Sequence, residues 1–226
     1  KELYHAHAQR LALMLQNQTE EEFADSRFQV LSELTRLRQL CCDPALVYEN
    51  YEGGSAKLDL CIELIQSAVE SGHKILLFSQ FTSMIEILTA RLQEESISCF
   101  VLQGSTKKEQ RAQMVEQFNR DDTSVFCISL KAGGTGLNLT GADIVIHYDP
   151  WWNVAVENQA TDRAHRIGQK NVVTVYKLIA KGTIEEKIIK LQQMKKELAE
   201  EILSGDEIKT SSFQREELLE LLEERF

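Results

Sequence analysis

A chain of 226 residues is long enough for one domain of ordinary size with appended elements, and too short for two full α/β domains. Hydrophobic residues at 43% and charged residues at 27% are ordinary for a globular protein, and no apolar run approaches the ~18 residues that a membrane helix requires. The net charge of −10 argues against a uniformly basic nucleic-acid coat, so any polyanion contact must be local.

In chain order, Leu3, Ala6, Leu11, Met14 and Leu15 recur at three and four, which predicts a helix over 2–16. A second helix is predicted over 20–40, with Phe23, Phe28, Val30, Leu31, Leu34 and Leu37 on its buried side and Asp43-Pro44 ending it. Tyr48 to Ser55, with Gly53-Gly54, reads as a linker. Beyond Lys57 helices and short apolar runs alternate. Helices are predicted over 57–69, 82–93, 107–118 and 152–163, and strands over 74–78, 98–102, 124–129, 143–147 and 172–178. Strands without polar alternation, separated by helices, imply a parallel sheet covered on both faces. The expected fold is therefore an open α/β sheet of the RecA or Rossmann kind. A basic helix over 183–203 and an acidic amphipathic helix over 213–226 end the chain. The expected division is a helical appendage over 1–55, an α/β lobe over 56–182 and a helical brace and tail over 183–226.

The opening residues KELYHAHAQR contain neither an initiator Met nor an apolar signal region, so a cut from the interior of a longer protein is expected. Five cysteines without a CxxC pair read as reduced core residues of a cytosolic compartment, and no metal site is expected. Charge is unevenly placed. Residues 163–196 hold nine Lys and Arg against only Glu185 and Glu186.

Ligands of an open parallel sheet sit at the carboxyl ends of its strands, where loops and helix N-termini present free N–H groups. The predicted strands end in Ser79-Gln80-Phe81-Thr82, in Gln103-Gly104-Ser105-Thr106, and in Ser129 followed by LKAGGTG. Small hydroxyl, amide and glycine residues at such ends let a phosphodiester backbone approach without base reading. Taken one loop at a time, Thr82 and Thr106 read as helix N-caps. The run Gly133-Gly134-Thr135-Gly136 does not match GxxxxGK[ST], and no acidic DE pair follows a buried strand. The chain by itself is thus expected to bind ATP poorly and to hydrolyse none. Arg163 and Arg166, three apart in DRAHR with Gln159 one turn earlier, place two forked cations on one face of a helix or its C-terminal turn. They suit either a triphosphate transition state or a surface ladder with Asp162 and Glu157.

The string QATDRAHRIGQ, preceded by AGGTGLNL and YDPWWN, resembles motifs V to VI of SWI/SNF-type ATPases, the DNA-translocating branch of superfamily-two helicases. LRQLCCDPAL, KILLFSQFTSMIEIL, LQGSTKKEQRAQMVEQFN and VYKLIAKGTIEEKI resemble further family segments in the same order. The similarity covers nearly all of residues 37–191 and points to the second, C-terminal RecA-like lobe.

That resemblance implies arginine fingers at Arg163 and Arg166 and nucleotide-cleft positions at Gly134, Gly136, Asn138 and Gln159. It also implies DNA-backbone contacts at Ser79, Gln80, Gly104, Ser105, Ser129 and Lys131, with Trp152 coupling DNA to the cleft. ATP and Mg²⁺ are expected partners of the full-length protein, with the Mg²⁺ ligands and phosphate loop in its N-terminal RecA-like lobe. Neither is expected to be held tightly by this chain. Duplex DNA is expected to bind through its phosphates without sequence preference, and no membrane is expected. Two alternatives stand beside a translocase: a duplex-unwinding superfamily-two helicase, and a non-enzymatic nucleic-acid-binding module that keeps the fold. A nucleoid or nuclear location follows according to whether the source is bacterial, the favoured reading, or eukaryotic.

Overall fold

The structure is a computed structural model that describes residues 1–130, 132, 137–165, 169, 171–202, 218–219 and 222. It divides into two compact units, one made of Lys1–Glu52 with Ala180–Phe226 and the other of Gly53–Ile179.

The second unit holds a five-stranded parallel sheet in the order β2-β3-β1-β4-β5, with β1 Ile75–Ser79, β2 Cys99–Leu102, β3 Val125–Ser129, β4 Ile144–His147 and β5 Thr174–Lys177. Helices α3 Ala56–Glu70, α4 Thr82–Glu94 and α5 Lys108–Arg120 precede β1, β2 and β3, and α6 Val154–Thr161 stands between β4 and β5. In register, Ile75 lies between Val125 and Ile144, and Phe78 between Ile128 and His147. Every residue of β1, β3 and β4 is buried, as a sheet covered on both faces demands. This is the RecA-like arrangement that the sequence predicts.

Successive residues of a strand face opposite sides, and β1 shows the division. Leu76 and Phe78 join Phe118, Phe126, Leu139, Ala160 and Ala164 in one core cluster. The outermost strand differs from the predicted buried run over 172–178. All four residues of β5, which pairs with β4 at one end of the sheet, are exposed.

In the first unit, α1 Glu2–Gln16 and α2 Glu20–Cys42 precede a single 3₁₀ turn over Pro44–Leu46. A capping box opens α2, with the Glu22 amide donating to Thr19 Oγ1 and the Thr19 amide to the Glu22 carboxylate. Asp43 closes α2, and its carboxylate then accepts the Ala45 amide at 2.8 Å to start the turn. Phe23, Val30, Leu34 and Leu37 are buried as expected, but Phe28 and Leu31 are 86% and 51% exposed. At ~100° per residue, Phe28 lies ~140° and Leu31 ~80° around the helix from Phe23, outside the stripe the other four share. Helix α7 Ile184–Ile202 packs on α2, and the Ile184 amide donates to Tyr4 Oη at 2.6 Å. Of the predicted acidic helix over 213–226, residues 218, 219 and 222 are described, all helical, with Leu218 and Leu222 buried.

Candidate functional site

The carboxyl ends of β1, β3 and β4 are tied together by one buried carboxylate and two backbone bonds. Asp149 is 1% exposed and accepts from Ser79 Oγ at 2.5 Å, Gln80 Nε2 at 2.5 Å and the Gln80 amide at 3.3 Å. Ser79 Oγ in turn accepts the Phe81 amide at 3.2 Å. A buried carboxylate is tolerated only when its oxygens are bonded, and these bonds satisfy that condition. The Leu130 amide donates to the Ser79 carbonyl and the Tyr148 amide to that of Phe78, extending the ladder beyond the strands. Ser79 and Ser129 are therefore fully buried beneath the loop surface, while Gln80 is half-buried above them. The place of Asp149, two residues past the buried strand β4, is a signal legible in the sequence.

After β2, Gln103 and Thr106 close a turn on each other. The Thr106 amide donates to the Gln103 carbonyl at 3.0 Å, and the Gln103 amide donates to Thr106 Oγ1 at 3.1 Å. The N-cap reading of Thr106 and Thr82 is thereby corrected. The N-cap residues are Lys107 and Phe81, and neither forms a side-chain cap bond. Thr106 spends its hydroxyl within the loop, and Thr82 is already the first residue of α4. Gly104 and Ser105 are exposed, and a Cβ at Gly104 would meet nothing within 4 Å. After β3, the Ala132 amide turns back to the Ser129 carbonyl and hydroxyl at 3.0 and 3.3 Å. Lys131, Gly134 and Gly136 lie outside the described residues.

Asn153 caps α6 by accepting the Ala155 amide at 2.9 Å, and Asp162 ends it, so the helix is two residues shorter at each end than predicted. Gln159 stands exposed on this helix. Arg163 follows in the turn, 4% exposed, with its guanidinium carbon 5.6 Å from the Phe78 ring centroid. Its carbonyl accepts the Leu139 amide at 3.0 Å, which fixes the segment beside the exposed Asn138. Arg163 thus reaches the carboxyl end of β1 through Phe78, and its backbone holds the segment that carries Asn138. Arg166 lies outside the described residues, and Trp152 is half-buried just before α6.

Beneath α6 lies a polar group that sequence reasoning missed. Glu157 is 1% exposed, pairs with Lys177 Nζ at 2.8 Å and accepts the Trp151 amide at 3.4 Å. His147 stacks on Phe78 at 5.5 Å, and its Nε2 lies 2.9 Å from Thr161 Oγ1. Burial lowers the His147 pKa to about 4, with Lys177 adding to the effect and Glu157 opposing it. The signal for Glu157 was its stripe: it precedes Ala160 and Ala164 by three and seven residues, and both are fully buried. Glu157 thus joins α6 to β5 through its ion pair with Lys177. A separate hollow of about 250 Å³, lined by His73, Asp143 and Tyr176, lies at the opposite, amino end of β4 and β5.

The model of the helicase conserved C-terminal domain matches residues 56–168. The chain belongs to that family. It is 33% identical to the Sulfolobus solfataricus SWI2/SNF2 ATPase C-terminal domain, with a TM-score of 0.72 over 89% of this chain and 82% of that one. A second solved structure, the S. solfataricus SWI2/SNF2 ATPase core in complex with dsDNA, is 33% identical with a TM-score of 0.75, over 90% of this chain and 43% of that one. An uncharacterized ATP-dependent helicase of Mycoplasma pneumoniae is 45% identical over 88% of this chain. The putative ATP-dependent helicase/translocase YwqA of Bacillus subtilis is 45% identical over 78% of it. The chain spans 19% and 20% of those two relatives' lengths. It is the C-terminal RecA-like lobe of a SNF2-type helicase.

Proposed function

We propose that this lobe is the trans-acting half of an ATP-driven motor that moves along duplex DNA. It supplies cations to a nucleotide held by an N-terminal RecA-like lobe and donors to the phosphates of one DNA strand. The observation that carries the reading is the convergence at the carboxyl end of the sheet. Half-buried Gln80 and exposed Gly104 and Ser105 stand on strand-end loops, and a Cβ at Gly104 would meet nothing within 4 Å. The S. solfataricus core solved with dsDNA gives further support.

In this reading Gln80, Gly104, Ser105 and Lys131 meet the phosphate backbone, and Trp152 relays its position to the cleft. Ser79 and Ser129, being buried, hold those loops from beneath. Arg163 and Arg166 face the triphosphate with Gln159, Asn138, Gly134 and Gly136 around them. A guanidinium stays charged even when buried, and its fork matches phosphate oxygens. Arg163, already seated over Phe78, needs little further ordering as the lobes close. Mg²⁺ would neutralise the phosphates from ligands in the other lobe. Contacts to phosphates make binding independent of sequence and sensitive to salt.

The test uses the full-length protein. ATP turnover should rise with duplex DNA, and Arg163→Ala or Arg166→Ala should lower stimulated turnover by ~10³-fold or more. Undiminished stimulated turnover in both variants would sink the arginine assignment. Displacement of a third strand from a triplex without separation of the duplex strands would distinguish translocation from unwinding.

A further inference from the structure

We infer that Arg111 is a positioning residue that withdraws the carbonyl groups of two strand-end loops from the surface where phosphate docks. The inference rests on the reading of those loops as phosphate-binding. By sequence, Arg111 sits in STKKEQR beside the exposed Lys107 and Lys108 and looks like one more cation for the DNA backbone. Its guanidinium is spent otherwise. From α5, Nε donates to the Thr106 carbonyl at 2.8 Å, and Nη2 to those of Gly104 at 3.0 Å and Gln103 at 3.4 Å. Nη1 crosses to the Ala132 carbonyl on the neighbouring loop at 3.1 Å. Four carbonyls from the ends of β2 and β3 thus converge on one cation.

The consequence is electrostatic. A phosphate approaching a bare loop meets carbonyl oxygens as well as amides, and the oxygens repel it. Here the carbonyls of Gln103, Gly104, Thr106 and Ala132 are engaged from within. The amides of Gly104 and Ser105 have no acceptor among the described residues, and nothing stands within 4 Å of where a Cβ would project from Gly104. Only a planar fork with several donors at fixed angles can hold four carbonyls of two loops together. A lysine, with one point-like ammonium, cannot.

The test compares wild type, Arg111→Lys and Arg111→Ala in the full-length protein by amide hydrogen exchange and by duplex-DNA affinity across a range of salt. Both variants should exchange faster at the amides of Gln103, Thr106 and Ala132. Both should bind DNA about tenfold more weakly with the dependence of log Kd on log salt unchanged. Wild-type exchange at those amides in Arg111→Ala would overturn the clamp. A salt slope reduced by ~0.9, with Arg111→Lys close to wild type, would make Arg111 a direct phosphate ligand and also overturn it. If the wild-type protein binds no duplex DNA, the functional reading fails with the phosphate role, and the exchange data still decide whether the clamp exists. Arg111→Lys keeps charge and length, which guards against a merely unfolded variant.

Discussion

His147 is a buried imidazole flanked by Phe78, Thr161 and the Glu157–Lys177 pair. Its pKa is about 4 in the folded chain against an ordinary 6.5. As pH falls from 6.5 to 4 the unfolded chain takes up a proton that the folded chain refuses, so stability is lost across that window and complete above it. The expected loss is about 3 kcal/mol. Urea unfolding of wild type and His147→Gln at pH 7 and pH 4.5 checks this. The stability difference between the two should shift by about 2 to 3 kcal/mol toward the variant at the lower pH. An unchanged difference would mean that the ring is protonated or exposed in the folded state. At this scale the sequence was legible where one residue type has one outlet, as with the helix-ending Asp43. It was misleading at Thr82, Thr106 and Phe28. There a residue could serve either the helix or something beside it, and the choice depended on neighbours distant in sequence or on exact phase around the axis.

Between elements, Asn119 at the end of α5 clamps the segment that carries Asn138. Its Nδ2 donates to the Asn138 carbonyl at 2.8 Å and its Oδ1 accepts the Gly141 amide at 2.9 Å. A Cβ on Gly141 would stand 2.9 Å from Asn119 Oδ1 and 3.0 Å from Asn119 Cα. The amide bond brings the two that close, and the Cα is backbone that cannot swing away. Gly141→Ala should therefore destabilise the lobe by about 1 to 3 kcal/mol, read as a lowered thermal midpoint, while Gly104→Ala should leave it unchanged because that site is open. Equal midpoints for Gly141→Ala and wild type would refute the clamp. Element type was readable throughout, since a strand buried on both faces and an amphipathic helix write different periods. Strand order was not, because β1 lies between β3 and β4 and the periodicity of one strand carries no record of its neighbours.

For the molecule as a whole, the proposed function makes turnover depend on a partner surface, since the sequence contains no GxxxxGK[ST] run. The 226-residue chain alone should hydrolyse ATP at the buffer background, with or without duplex DNA. Turnover above background would show that the chain holds a complete site. The sequence by itself determined the lobe's class, its alternation of strand and helix, and the motif positions at the strand ends, because period and local spacing are written in neighbouring residues. Tertiary structure alone decided that residues before Gly53 and after Ile179 belong to one compact unit. It also decided that Asp149 ties β1 to β4, that Glu157 pairs with Lys177, and that Arg111 turns inward. A buried charge takes whatever partner the fold brings within reach, and that partner lies up to 70 residues away in the chain.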